Sequence, residues 1–264
     1  MFRYTKIGAT IGPASDDIPT LEKMIKAGMN FARLNFAHGD FGSHKKTIKN
    51  IRAAALKLGE PIAILQDLQG PRIRIGLVPD AGVTLKAGES VVLDASVAYQ
   101  SGGALPVDHP DLHRYLLSGE RLLIDDGRIE LKILQVEGTR IITSVVEGGM
   151  VLSHKSINLP DSKLQIPALS DKDRDDLRFG VKNGIDMVGL SFVSTANDIV
   201  DIRYLIQKFL REENITLPQP IMIIAKIERH EAMDNLNSII DAADGIMVAR
   251  GDLGHLVAGC YKPE

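Results

Sequence analysis

The chain has 264 residues, 44% of them hydrophobic and 25% charged, with a net charge of −3. These values suit an ordinary globular protein of one large domain or two smaller ones, and they offer no electrostatic attraction for nucleic acid or a membrane surface. The single cysteine, Cys260, excludes an internal disulfide, and no CxxC or HExxH pattern offers a transition-metal site. The first residues lack the apolar core of a signal peptide, and no apolar run reaches membrane-spanning length, so the cytoplasm is the expected compartment.

Taken in order, strand and helix patterns alternate from the start. A strand at about Lys6 to Ile11 leads to the turn Gly12-Pro13-Ala14-Ser15. A helix carrying Leu21, Met24 and Ile25 follows, with Gly28 as a left-handed cap. A second strand, Asn30 to Asn35, runs into His38-Gly39. A basic helix near Ser43 to Leu58 then precedes a third strand, Ile62 to Asp67.

From about Arg74 to Asn158 the character changes. Short β-like runs (Ser90 to Leu93, Arg121 to Ile124, Leu131 to Val136, Arg140 to Val146) alternate with Gly, Asp and Ser clusters, and Asp125-Asp126-Gly127 is a turn signal. This stretch predicts a small all-β domain inserted in an α/β chain. Helical pattern returns where Ser170 and Asp173 form a capping box, with Leu177 and Val181 on the buried face and Asn183-Gly184 at the stop. A fourth strand, Asp186 to Val193, is followed by a helix with Ile199, Ile202, Leu205, Ile206 and Phe209 at helical spacing. The run Arg211-Glu212-Glu213 reads as a solvated helix end.

Two further apolar runs, Ile221 to Ile224 and Gly245 to Val248, read as buried parallel strands joined by a helical segment. They lead into AKIER (Ala225 to Arg229) and MVARGDLG (Met247 to Gly254). Side chains two apart on a strand share a face, so Lys226 and Glu228 point the same way, with Asp252 just past the next strand. One ammonium and two carboxylates thus converge where parallel α/β proteins place their chemistry. Six parallel strands can be counted outside the insert, against the eight of a (β/α)8-type barrel, which therefore looks incomplete.

The segments KIGATIGPAS, ARLNFAHG, LQDLQGPRIRIG, LLIDDGRIEL, HKSINLP, ALSDKD, GLSFV, AKIE and DGIMVARGDLG occur in the order found in pyruvate kinase, over about residues 5 to 254. The chain resembles the N-terminal part of that family. The resemblance implies a discontinuous barrel domain at 1–73 and 159–254 that lacks the last two strands, a β-barrel-like lid domain at 74–158, and an unmatched tail at 255–264. It implies phosphoryl transfer from phosphoenolpyruvate to ADP, giving pyruvate and ATP, by a homo-oligomer in the intact family.

By that resemblance Glu228 and Asp252 are the ligands of Mg²⁺ (or Mn²⁺), a hard cation that carboxylates suit. Lys226 and Arg33 carry the catalytic charge. The substrate is bound by these two with Ala249, Gly251 and Asp252, glycine permitting close backbone approach. Arg74, Lys155 and His38 match the nucleotide-binding positions, and Asp126 faces the same cleft. At the monovalent-cation region Asn35 and Asp67 remain, but Ala37 and Leu68 replace two hydroxyl positions. The stretch resembles the potassium-independent subgroup, which has lysine at the position of Arg72, so Arg72 is expected to substitute for K⁺, which is then not required. Ser156 and Asp161 stand where the family has glycine, and a side chain at either restricts a hinge if the backbone needs positive φ.

Two other readings remain open on the residues. One is a catalytically inactive remnant of a pyruvate kinase that acts only by binding or association. The other is a Mg-dependent enolpyruvate lyase or aldolase on a similar barrel, against which a nucleotide lid carrying Lys155 and Arg74 argues.

Overall fold

A computed structural model describes residues 4–71, 73–125, 127–162 and 169–249. In chain order the first elements are β1 (Ile7–Thr10), α1 (Ile18–Lys26), β2 (Met29–Asn35), α2 (Phe41–Leu58) and β3 (Ala63–Asp67). An all-β stretch follows: β4 (Ile73–Arg74), β5 (Val83–Leu85), β6 (Ser90–Asp94), β7 (Leu105–Pro106), β8 (Arg121–Ile124) and β9 (Ile129–Glu137). It ends with β10 (Arg140–Glu147), β11 (Gly149–Val151) and β12 (Ser156–Asn158). Then come α3 (Asp171–Lys182), β13 (Met187–Leu190), α4 (Ala196–Glu212), β14 (Met222–Ile227), α5 (His230–Asp234), α6 (Leu236–Ala242) and β15 (Gly245–Val248).

These elements form two compact units, the described residues 4–71 with 169–249, and 73–162. The first is a parallel sheet in the order β1-β2-β3-β13-β14-β15. Among the described residues it has six strands, an arc of a (β/α)8-type barrel. Its helices start where local chemistry dictates. Asp17 caps α1 by accepting from the Thr20 amide, with proline in the first turn. Ser170 and Asp173 exchange bonds in the expected capping box of α3. The cap of α1 is Ala27, and Gly28 takes the left-handed conformation one residue later (φ +110°). The stripe Ile199, Ile202, Leu205, Ile206 and Phe209 of α4 is buried as expected, each such side chain contributing roughly 1.5–3 kcal/mol. Arg211 and Glu212 are exposed, as expected of a solvated helix end, and Glu212 and Glu213 also pair with Arg178 of α3, while Lys182 reaches Glu213 at 3.0 Å.

One tie recurs at the N-terminal ends of the strands. The Ile7 amide donates to Asn30 Oδ1 (2.9 Å), the Ile64 amide to Asp186 Oδ2 (2.6 Å) and the Ile223 amide to Asp244 Oδ2 (2.8 Å). Each acceptor stands at the start of the strand following in the sheet, so β1/β2, β3/β13 and β14/β15 are locked alike. In the last two pairs an arginine from the preceding helix completes the tie. Arg52 binds Asp186 and the Gly184 carbonyl, and Arg203 binds Asp244 and the Ala242 carbonyl, in each case two residues before the aspartate.

The second unit pairs β4-β12-β8-β9-β10-β6-β7 in one sheet and β11-β5 in another. Its core is aliphatic, including Ile75, Leu93, Leu122, Ile124, Leu131 and Ile141. Neither Ser156 nor Asp161 has positive φ, which removes the hinge restriction expected of a side chain there. Asp161 instead accepts from the backbone and side chain of Arg121 (Nη2 to Oδ1, 2.8 Å), and Ser162 donates to Glu120 (2.6 Å). Arg121 holds the Asp161 carboxyl below the ordinary aspartate value.

Replacing Asp186 by alanine should lower the unfolding free energy by about 1–3 kcal/mol, because the Ile64 amide and Arg52 lose their acceptor. Asp186→Asn, which keeps an acceptor as Asn30 does for Ile7, should lose less; urea titration measures both. A depressed carboxyl stabilises fully above its unfolded value and loses that contribution as pH falls through its folded value. The stability advantage of wild type over Asp161→Asn should therefore shrink as urea titrations are taken from neutral pH to below the ordinary aspartate value.

Candidate functional site

The first unit gathers a group of charged side chains at the C-terminal ends of its parallel strands. Asp67, the last residue of β3, is 2% exposed. Its Oδ2 accepts from Arg33 of β2 twice, through Nε (2.7 Å) and Nη2, and its Oδ1 lies 3.2 Å from Lys226 Nζ of β14. That second contact is an ion pair without hydrogen-bond alignment, since Oδ1 takes no aligned hydrogen bond among the described residues. Arg33 Nη1 also donates to Thr10 Oγ1 (2.8 Å) at the end of β1.

Lys226 is 6% and Glu228 4% exposed, and Nζ lies 2.8 Å from Glu228 Oε1. The expectation that the two share a direction is met, and they form a buried pair rather than a surface one. Glu228 Oε2 accepts from the Phe192 amide (2.9 Å), and Lys226 Nζ donates to Ser191 Oγ (2.8 Å). Two cations and two carboxylates thus balance, with Asp67, Lys226 and Glu228 buried and Arg33 reaching solvent on one side, and such pairing is the condition under which buried charge persists. Small residues make the room. Gly189 pairs with Asp67, and a Cβ on it would come within 3.2 Å of Asp67 Oδ1. Arg229, next in the chain, lies over the Phe192 ring, and burial pulls its guanidinium below the ordinary arginine value.

The other expected residues fall into place unevenly. Asn35 ends β2, and its Oδ1 accepts from the Ala37 amide (3.0 Å). His38 is exposed, and its carbonyl meets the His44 ring nitrogen at 2.9 Å. Ala249 follows β15 at the level of Glu228, because Ile227 pairs with Val248. Arg72, Asp126, Gly251, Asp252 and the 255–264 tail lie outside the described residues. Among the described residues no three His, Cys, Asp or Glu side chains group to hold a metal. Glu228 is nonetheless a chemically fitting ligand for a hard cation: each of its oxygens meets one donor and retains a lone pair.

Within the second unit Lys155 immediately precedes β12, which pairs with β4 through Ser156 and Arg74. Lys155 Nζ is held 2.6 Å from Asp125 Oδ1, and Asp125 has left-handed backbone (φ +54°). The Arg74 amide and carbonyl both bond Asp108.

Ser191 and Phe192 had no role in the sequence reading. The segment GLSFV stood out, but nothing local marks which of its residues turn toward Lys226 and Glu228.

A family profile described as pyruvate kinase, barrel domain, matches residues 2–259. A pyruvate kinase of Geobacillus stearothermophilus is 42% identical over 96% of this chain and 42% of its own length. One of Thermococcus litoralis is 42% identical over 95% of this chain and 51% of its own. One of Corynebacterium glutamicum is 40% identical over 96% and 52% respectively. The chain spans about half the length of the curated relatives it matches.

Asp67→Ala leaves both Arg33 and Lys226 without their shared counter-charge and should cost about 3–5 kcal/mol of stability. Lys226→Met should cost less, because Arg33 still neutralises Asp67 and the Phe192 amide still binds Glu228. Denaturant unfolding of the two variants ranks them, and equal losses would contradict the central place given to Asp67.

Proposed function

The chain belongs to the pyruvate kinase family, and on that premise we propose that it carries the site at which phosphoenolpyruvate gives its phosphoryl group to ADP. The observation that supports the reading is the Arg33–Asp67–Lys226–Glu228 network at the C-terminal strand ends, buried except at Arg33. Phosphoryl transfer demands positioning and charge stabilisation rather than covalent chemistry from the protein. Arg33, held by Asp67 and Thr10 and 31% exposed at its side chain, is free on one side to take a phosphoryl oxygen. Lys226 offsets charge on the transferring group and on the enolate oxygen as the carbon-side P–O bond breaks and the bond to the ADP oxygen forms. The enolate carbon then takes a proton to give pyruvate.

Bound Mg²⁺ or Mn²⁺ would add charge neutralisation for the phosphates, held by Glu228 together with Asp252. Ala249 and Gly251 would offer backbone to the substrate carboxylate. Residues 74–158 are proposed as the lid domain and 1–73 with 159–254 as the barrel domain, with Arg74, Lys155 and His38 contacting nucleotide. A homo-oligomer in the cytoplasm is the accompanying proposal.

We also propose that K⁺ is not required. Ala37 and Leu68 bring no side-chain oxygen, the Leu68 carbonyl is taken by Ser191, and Asp67 is neutralised from two sides by Arg33 and Lys226. Arg72 would supply the remaining positive charge. Its planar fork differs from the subgroup's lysine and suits an anion held edge-on.

Pyruvate formation from phosphoenolpyruvate, ADP and Mg²⁺ without K⁺ tests these readings together. Lys226→Met should lower kcat by at least about 100-fold, as loss of a transition-state charge partner does. Adding K⁺ should leave the wild-type rate unchanged, and omitting ADP should abolish it, which a lyase would not show. A folded wild-type chain that makes no pyruvate supports the binding-only reading instead.

A further inference from the structure

Ser191 sits immediately after β13, is 1% exposed, and joins two neighbouring strands across it. Its hydroxyl donates to the Leu68 carbonyl (2.7 Å) and accepts from Lys226 Nζ (2.8 Å). The direction of these bonds is fixed by chemistry: an ammonium has only donors, a carbonyl only lone pairs, and the hydroxyl a single proton. The Ser191 proton therefore faces Leu68, and a lone pair faces the lysine. Leu68 cannot drift, because its own amide donates to the Gly189 carbonyl (3.0 Å).

An ammonium has three donors, and Lys226 has three oxygens around it, from Ser191, Glu228 and Asp67. The two carboxylates supply charge, but the Asp67 oxygen lacks hydrogen-bond alignment. Ser191 supplies an aligned, neutral contact. Phe192 holds the next functional side chain in the same way, its amide donating to Glu228 while its backbone is left-handed (φ +56°). Left-handed backbone in a bulky residue persists only where its surroundings determine it. Those surroundings include Gly70 (φ +71°), where a Cβ would lie 2.8 Å from Ser191 Cβ and 2.9 Å from a Phe192 ring carbon. Two successive residues of one turn thus address the ammonium of β14 and the carboxylate just past its end.

We propose that Ser191 is a positioning residue for Lys226, helping to fix the direction of an ammonium that the Asp67 carboxylate attracts without orienting. The effect on rate rests on the phosphoryl-transfer reading above; the tie itself does not.

The test uses the full chain with ¹⁵N-labelled lysine at one pH, where the Lys226 ammonium resonance is assigned by its disappearance in Lys226→Met. In Ser191→Ala this resonance should move, and its protons should exchange with water faster by about 10-fold or more, for loss of a hydrogen bond to a charged group. In the same variant kcat should fall by about 10- to 100-fold while KM for phosphoenolpyruvate changes by less than about threefold. Ser191→Thr, which keeps the hydroxyl, should retain the wild-type resonance and most of the rate. If Ser191→Ala fails to fold by circular dichroism, Ser191→Cys gives the same readout with a weak acceptor in place of the oxygen. An unshifted, equally protected ammonium in a folded variant overturns the proposal, as does a loss confined to KM. A wild-type chain that makes no pyruvate overturns the functional reading, and the ammonium resonance still decides whether Ser191 holds Lys226.

Discussion

The site depends on one buried carboxylate. Asp67 lies between a guanidinium from β2 and an ammonium from β14, with β13 in between, so a single side chain spans the middle of the sheet. An unpaired carboxylate at that depth would be driven to neutralise, and unpaired cations beside it would be as costly. Its neighbours follow from that constraint. Gly189 leaves the space that the Asp67 carboxylate occupies, Thr10 steadies the far side of Arg33, and Ser191 and Phe192 hold the residues beyond it. The pairing also matters to any anionic substrate. Cations balanced by carboxylates stay ordered before the ligand arrives, so little reorganisation remains when charge develops.

Much of the fold could be read from the chain because its signals are local. The capping box at Ser170 and Asp173, the stripe on α4 and the six apolar strand runs each express a period or a cap within a few residues. The switch to an all-β segment after Arg74 is similarly visible as a change of period. What escaped lies in pairings far apart in sequence. Ser191 is 35 residues from Lys226, and Arg33 is 34 from Asp67. Alternation along a strand says which face a residue occupies but not what crosses from the next strand. The same limit applies to Glu212 and Glu213, which are solvated as read but whose ion pairs with the sequence-remote Arg178 no local pattern shows. The glycine positions filled by Ser156 and Asp161 show the converse. A residue's type suggested strain, and the backbone angle that decides strain is set by the surrounding sheet.

The strand ties and the proposed site lie at opposite ends of the same strands. At the N-terminal ends Asn30, Asp186 and Asp244 tie adjacent strands pairwise, two of them with an arginine from the helix before. At the C-terminal ends the polar groups face one another across several strands, as Thr10, Arg33, Asp67, Ser191, Lys226 and Glu228 do. Parallel barrels separate these tasks in general, with chemistry on the C-terminal face. Here the repeat gives the separation a physical basis. Each tie sets the register of two strands from its N-terminal end, and strands of four to seven residues carry that register to the other end. A one-residue slip would turn Lys226 to the opposite face and take it out of reach of Asp67. The ties at the N-terminal ends thus help fix the β1/β2 and β3/β13 registers, across which Thr10 meets Arg33 and Ser191 meets the Leu68 carbonyl.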